Sequence, residues 1–279
     1  RDHRRHRRTS VLHPHPAHAR QAGRLGMTAV LELREASRVS GSRVRLHSTS
    51  LVVESGTVTG VIGRNGSGKS TMLELMSSEL APSRGSVLMN GDDASGLSLI
   101  ERARRRAIVS QETTLAFPFS VREVVAWGRT PWRGTEHSSH DEAIVASAIS
   151  AQGLDELADR TVTELSGGER KRVHLARVVA QQSPLLLLDE ADSDLDLVGR
   201  RVLDDLVVTH ARSGRTAIIV SHDVNRLLRV CDRFIVMRGG RIHAEGSPAD
   251  VLTAAILTEA FEATVVVDGS GDDLAARLP

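Results

Sequence analysis

The stretch Gly63-Arg64-Asn65-Gly66-Ser67-Gly68-Lys69-Ser70-Thr71 constrains this chain's fold more than any other segment. It fits the pattern Gly, four residues, Gly-Lys-Ser, a loop whose backbone N–H groups wrap phosphate oxygens. Glycine is needed because a Cβ would hold the backbone away from the phosphate. Lys69 supplies a neutralising charge, and the Ser70 hydroxyl is suited to Mg²⁺. Val58-Thr59-Gly60-Val61-Ile62, rich in β-branched residues, enters the loop, and Thr71-Met72-Leu73-Glu74-Leu75-Met76 leaves it with helical character. Strand, glycine loop and helix in that order put the loop at the positive end of a helix dipole. A glycine-rich turn that binds nothing would not need this context. Gly63, Asn65, Gly66, Ser67, Gly68, Lys69, Ser70 and Thr71 are therefore the candidate triphosphate ligands.

Two more segments narrow the chemistry. Leu185-Leu186-Leu187-Leu188 followed by Asp189-Glu190 reads as a buried parallel strand delivering two acids at its carboxyl end. Asp189 is placed to hold the Mg²⁺ shell and Glu190 to polarise the attacking water, since phosphoryl transfer depends on positioning and charge stabilisation. Solvated acids at an ordinary strand end are the plainer alternative. Leu165-Ser166-Gly167-Gly168-Glu169 opens a helix over 169–179 and forms a second anion-binding helix start. That second start is unexplained if one loop already holds the whole triphosphate. A Ser cap with an acid in the first turn is compatible with this role.

These residues resemble the nucleotide-binding subunit of an ABC transporter, whose LSGGE signature matches 165–169. The resemblance spans nearly all of 27–267. It implies an α/β fold: a P-loop NTPase core of ABC type with a mixed parallel sheet, an antiparallel β layer and an inserted helical subdomain. It also implies two copies packed head to tail, with Ser166, Gly167 and Gly168 of one closing over the ATP held by the other. Gln111, in Ile108-Val109-Ser110-Gln111-Glu112, matches the glutamine that reaches Mg²⁺ and the attacking water. His222 matches the switch histidine that contacts the γ-phosphate and the residue at Glu190. Ser193-Asp194-Leu195-Asp196 resembles the D-loop that crosses the dimer seam. The expected catalytic set is Glu190, His222, Gln111 and Lys69, and the expected Mg²⁺ set is Ser70, Gln111 and Asp189.

The chain departs from the family pattern in two places. Asp189-Glu190-Ala191-Asp192 replaces Asp-Glu-Pro-Thr, removing a rigid proline and putting a further carboxylate near the two acids, where it is expected to raise neighbouring pKa values or slow turnover. The family stacks a tyrosine on adenine near Ser40, yet the chain has no tyrosine. Arg43 and Arg45 are candidates to stack a guanidinium plane there.

Composition bounds the setting. Of 279 residues, 40% are hydrophobic, enough for an ample core, and the single Cys231 cannot form an internal disulfide. No stretch approaches the roughly 18 apolar residues a membrane helix requires, so the resemblance implies a separate membrane permease, an indirect link to a substrate-binding protein, and a cytoplasmic location on the inner face of the membrane. Residues 1–26 hold seven Arg, five His and one Asp, a formal +6, which leaves the remainder at −5 given the chain total of +1. They read as a disordered extension, with a basic arm for lipid or nucleic acid as the alternative. No nucleic-acid partner is expected for the body of the chain, and 268–279 reads as a C-terminal tail.

Strand character falls at 29–33, 44–53 and 86–89 for an antiparallel layer and at 58–62, 185–188 and 216–220 for parallel strands. Residues 234–243 read as a hairpin around Gly239-Gly240. The interval 97–160 is expected to be the helical subdomain. Phe117, Phe119, Trp127 and Trp132, four of the six aromatic residues, crowd into it, and either they form its small core or they line a groove for the permease. Ala116 to Val125 together with Gly128-Arg129-Thr130-Pro131 resembles the branch that powers import of iron siderophores, haem or cobalamin. A chromosome-type ABC ATPase fits poorly, because no heptad run separates Lys69 from Ser166. A translation-acting protein would carry a second cassette. A weakly hydrolysing nucleotide-dependent regulator stays open on account of Ala191-Asp192.

Overall fold

The computed structural model describes residues 28–110, 117–269 and 274–278. Gln111 and the basic 1–26 segment lie outside the described residues. In chain order, β1 (Ala29–Ser40), β2 (Arg43–Glu54), β3 (Val58–Gly63), α1 (Lys69–Ser77), β4 (Arg84–Met89), β5 (Asp92–Asp93), α2 (Leu99–Arg105) and β6 (Arg106–Val109) come first. A helical region follows with α3 (Val121–Ala126), α4 (Asp141–Ala151) and α5 (Gly167–Gln181). The chain then returns through β7 (Leu185–Asp189), α6 (Leu197–Arg212), β8 (Thr216–Val220), α7 (Val224–Leu227), β9 (Arg233–Arg238) and β10 (Arg241–Gly246), and α8 (Pro248–Val251) and α9 (Ala254–Phe261) pack at the end.

Two sheets carry the architecture. One has the order β10-β9-β3-β8-β7-β6, parallel except for the β9–β10 hairpin. The other, β2-β1-β4-β5, is antiparallel. Successive side chains on a strand face opposite ways, so each parallel strand feeds two cores. Ile62, Leu186, Leu188 and Ile219 pack toward Leu203 and Val207 of α6. Val61, Leu185, Leu187 and Ile218 pack toward Met72 and Met76 of α1 and Leu31 and Leu46 of the antiparallel sheet. The four leucines form an unbroken apolar run because both faces of β7 are covered. A third core joins α3, α4 and α5 through Val121, Val125, Ile149 and Val173. Helix α5 also gives Leu175 and Val178 to the sheet core, which ties the helical region to the nucleotide end of the sheet.

Boundaries differ from the sequence reading at three points. Residues 106–109, inside the interval read as helical, form an edge strand of the parallel sheet beside β7. Only Ala107, Ile108 and Val109 are apolar there, and short flanking helices mask a four-residue strand. Strand β1 runs on past 33 to Ser40 because register shifts near Glu35 and Arg38 let it bend while staying paired with β2 and β4. In the expected tail, 275–277 pairs antiparallel with 266–268, and the Asn225 side chain both donates to and accepts from the Ala276 backbone. The hairpin at Gly239-Gly240 is as read, with both glycines at positive φ, 54° and 72°.

Candidate functional site

At the carboxyl end of β3 the chain turns through Gly63 at φ 145°, where a Cβ would lie 2.3 Å from the Met237 carbonyl oxygen. Only glycine passes there. The β9–β10 turn buttresses the loop from outside, since Gly240 N donates to the Ser67 carbonyl at 2.8 Å. From the sequence, Gly239 and Gly240 read as a hairpin turn and nothing more. Arg64 in the loop also pairs with Glu262 just beyond α9.

Gly68 caps α1 without a side-chain bond, so the first-turn N–H groups of a nine-residue helix face the loop without a side-chain competitor. Lys69 is buried, and its Nζ donates to the Gly63 carbonyl at 2.8 Å and the Arg64 carbonyl at 3.1 Å. Burial pulls its pKa down, and the charges of Glu190 and Asp189 oppose that pull. An arriving polyphosphate would relieve the same cost. Asn65, Gly66, Gly68, Lys69, Ser70 and Thr71 line one cleft together with Glu190, His222, Arg43 and Arg45. Gly63 and Ser67 are buried behind it. The two arginines therefore reach the cleft, while Ser40, where the family carries tyrosine, is absent from its lining.

Asp189 ends β7. Burial raises its carboxyl pKa, a hydrogen bond from the Ser70 hydroxyl lowers it, and Glu190 raises it further. Its Oδ1 is buried with no hydrogen-bond partner among the described residues. An orphaned carboxylate oxygen beside a serine hydroxyl is the hard oxygen donor set Mg²⁺ takes, so Ser70 and Asp189 fit that ion. Glu190 follows with φ 47°, an uncommon conformation for a non-glycine residue, fixed by its N–H donating to the Val220 carbonyl at 3.0 Å. Its Oε1 lies 2.6 Å from His222 Nε2, and His222 is half exposed toward the cleft.

The signature segment forms a different place. Ser166 caps α5 in a reciprocal capping box: Glu169 N donates to Ser166 Oγ at 3.3 Å, and Ser166 N donates to Glu169 Oε2 at 2.8 Å. The Ser166 bonds hold the Glu169 carboxyl below its ordinary range. Ser166 and Gly168 open onto a second cleft with Asp194, Leu195 and Asp196, and a Cβ on Gly168 would lie 3.1 Å from the Asp194 carbonyl. No residue lines both clefts. The structure thus brings Lys69, Ser70, Asp189, Glu190 and His222 together and leaves Ser166, Gly167 and Gly168 apart from them within one chain.

The Asp192 carboxylate has partners of its own. Its Oδ2 accepts from Ser221 Oγ at 2.7 Å and pairs with Arg226 at 3.1 Å. A buried guanidinium offsets the added charge. The aromatic group also divides. Phe119 and Trp127 meet edge to face at 4.9 Å within the helical core. Trp132 donates its Nε1 to the Gln181 carbonyl at 2.7 Å, and the guanidinium groups of Arg104 and Arg129 lie 5.6 and 5.7 Å from its ring centre. It remains partly exposed. Phe117 is exposed.

Residues 46–193 match the ABC transporter family. The hemin import ATP-binding protein HmuV of Nocardia farcinica is 40% identical over 222 residues, 80% of this chain and 77% of that protein. The cobalamin import ATP-binding protein BtuD of Halobacterium salinarum is 40% identical over 230 residues, 82% of this chain and 58% of that one. Among solved structures, cbiO1 from Clostridium perfringens, part of the ABC transporter complex cbiONQ, superposes with a TM-score of 0.70 at 27% identity, covering 83% of this chain and 94% of that one. With its phosphate loop, paired acids and signature on this fold, the chain belongs to the ABC transporter family and is one of its ATP-hydrolysing subunits.

Proposed function

We propose that this chain is the motor of an importer for a metal chelate such as haem, cobalamin or an iron siderophore, working as a head-to-tail homodimer. The single observation that carries the dimeric reading is the separation of the two anion-binding helix starts into different clefts of one chain. Closing a triphosphate between them requires a second copy. The phosphate loop, with Lys69, binds the β- and γ-phosphates. Ser70 and Asp189, with Gln111, are the residues to hold Mg²⁺, which when bound neutralises charge on the phosphate oxygens. Glu190 orients and polarises the attacking water, and His222, 2.6 Å from it, holds that carboxylate and reaches the γ-phosphate. The partner's Ser166, Gly167 and Gly168 close from the other side.

No helix among the described residues is long and apolar enough to cross a membrane, which is compatible with a separate permease partner, a substrate-binding protein beyond it and a place on the cytoplasmic face. The hemin and cobalamin relatives support the cargo class. The exposure of Phe117 and the partial exposure of Trp132 support them as contacts for the permease.

Mg²⁺-dependent ATPase assays and size-exclusion chromatography test the reading. Glu190→Gln is expected to keep ATP and accumulate as a closed dimer, while Lys69→Ala loses ATP binding. A Glu190→Gln protein that stays monomeric in saturating Mg-ATP would overturn it. Coexpressed with its permease in vesicles, the protein is expected to hydrolyse ATP faster with haem or cobalamin than with a free amino acid.

A further inference from the structure

The segment that continues from Glu190 holds a buried charged cluster that the hydrolytic scheme leaves unused. Asp192, Ser221 and Arg226 are all buried, at 9%, 1% and 6% exposure. Arg226 bridges two carboxylates, with Nη1 3.1 Å from Asp192 Oδ2 and Nη2 2.7 Å from Asp204 Oδ1. Ser221 donates to Asp192 at 2.7 Å and in turn accepts from the Asp223 backbone N–H at 3.1 Å. Asp223 then caps α7 by accepting from Arg226 N at 2.9 Å. Both neighbours of His222 are thus locked to one network, although the His222 side chain is itself half exposed.

The same short segment carries Glu190 at its start and Asp192 two residues later, so the carboxylate that His222 touches and the carboxylate that anchors His222's backbone move as one piece. We propose that Asp192, acting through Ser221 and Arg226, is a positioning residue that holds the His222 imidazole against Glu190. A half-exposed imidazole has rotamer freedom to lose, and fixing the backbone on both sides sets where its ring reaches. The role rests on the reading of Glu190 and His222 as the hydrolytic pair. It also gives Asp192 a function: the departure from the family pattern is balanced by an arginine on α7.

Steady-state ATPase measurements on Asp192→Asn, Ser221→Ala and Arg226→Lys, each alone and combined with His222→Ala, test this. Asp192→Asn and Ser221→Ala are expected to lower kcat about tenfold with the KM for ATP changed less than about twofold, and Arg226→Lys is expected to keep most of the activity. In the His222→Ala background the first two substitutions are expected to add no further loss, because they act only through the imidazole. Ser221→Ala keeps every charge in place and serves if Asp192→Asn does not fold. Imidazole ¹⁵N signals of His222 give a readout independent of rate. They are expected to move toward those of a free imidazole in Ser221→Ala. Unchanged kcat and unchanged His222 signals, or losses that multiply with that of His222→Ala, would overturn the proposal. If His222→Ala and Glu190→Gln themselves turn over at the parent rate, the hydrolytic pairing fails and this role with it. If those two are impaired while Asp192→Asn and Ser221→Ala match the parent, only the positioning role fails.

Discussion

Replacing Arg129 by methionine tests whether the segment 128–131 is there to build the helical subdomain or to meet cargo machinery. The Arg129 side chain is 3% exposed and its guanidinium has four acceptors: Asp141 Oδ1 at 2.7 Å, the Ala180 carbonyl at 2.8 Å, Gln182 Oε1 at 3.2 Å and the His137 carbonyl at 3.3 Å. It also lies 5.7 Å from the Trp132 ring centre. Methionine matches the stem length and leaves little cavity, so the loss is polar. Ala180 is fully buried, and a carbonyl stranded there costs about 1–3 kcal/mol. Breaking a buried ion pair from one side costs about 3–5 kcal/mol, but Asp141 is 26% exposed and recovers part of that in water. A net loss of about 3 kcal/mol follows, which for a chain of this size lowers Tm by about 6–12 °C. Circular dichroism melts of Arg129→Met and Arg129→Lys check it. Lysine keeps the charge but cannot serve four acceptors in a plane, so it is expected to fall between parent and methionine. A Tm for Arg129→Met within 2 °C of the parent would refute the argument, as would an unchanged Tm with a specific loss of transport.

Four further outcomes follow from named geometry. Gly63→Ala is expected to abolish binding of a fluorescent ATP analogue, because its Cβ meets the Met237 carbonyl at 2.3 Å, whereas Gly66→Ala meets no protein atom and is expected to leave the fold intact at a strain cost of about 1–3 kcal/mol while weakening the analogue's binding at the cleft it lines. His210 is held neutral by burial and by Arg215, its pKa lowered from 6.5 to about 4. The unfolded chain therefore binds the extra proton between those values, and stability falls as pH drops from about 6.5 to 4, by at most about 3 kcal/mol. Urea melts of His210→Gln against the parent across that range should show the variant's flatter profile. Arg43→Ala and Arg45→Ala together are expected to weaken ATP about tenfold while leaving tripolyphosphate binding unchanged, since a guanidinium stacked on the base contributes roughly 1 kcal/mol or more. A photoreactive γ-phosphate ATP analogue should label the 166–168 segment only at protein concentrations where dimers form, and equal labelling of the monomer would contradict the separation of the two clefts.

The parts of the site that could be read from the sequence are those where chemistry demands particular residues at fixed spacing. Gly63 to Thr71 leaves no latitude, because a Cβ at Gly63 collides with backbone and the lysine must reach back over the loop. Ser166 and Glu169 likewise announce a capping box three residues apart. The misread parts depend on partners far along the chain. Strand β6 has only three apolar residues and owes its existence to the hydrogen bonds of β7, about 80 residues on. At Trp132 the sequence does not show that Arg104 and the Gln181 carbonyl converge on the ring from elements far along the chain. The sequence shows the added charge of Asp192 but not the Arg226 guanidinium that pairs with it, because Arg226 is remote in sequence. In each case the missing information was a contact with a residue far along the chain.

The loop from Glu190 to Asp194 shows why such contacts matter to the motor. Glu190 and Asp194 both adopt positive φ, 47° and 63°, without being glycine, each at a cost of about 1–3 kcal/mol. A segment strained at both ends keeps that shape only if its surroundings determine it, and here they do. Ser193 N–H and Oγ both donate to the Glu190 carbonyl, at 3.0 and 2.8 Å. Asp196 caps α6 by accepting from Gly199 N at 2.7 Å, and Asp192 is held by Ser221 and Arg226. One end of this braced loop carries the carboxylate that faces His222, and the other carries Asp194 beneath the signature glycines. Under the proposed head-to-tail closure, a second copy pressing on the signature side would meet this braced loop, and the displacement is expected to pass to Glu190. Loosening the brace at Ser193→Ala, which removes one of two bonds to the Glu190 carbonyl, should leave ATP binding intact while weakening the dependence of hydrolysis on dimer formation. ATPase rates measured across protein concentration read this as a flatter curve, and a curve as steep as the parent's would show that the strain has no part in coupling the two sites.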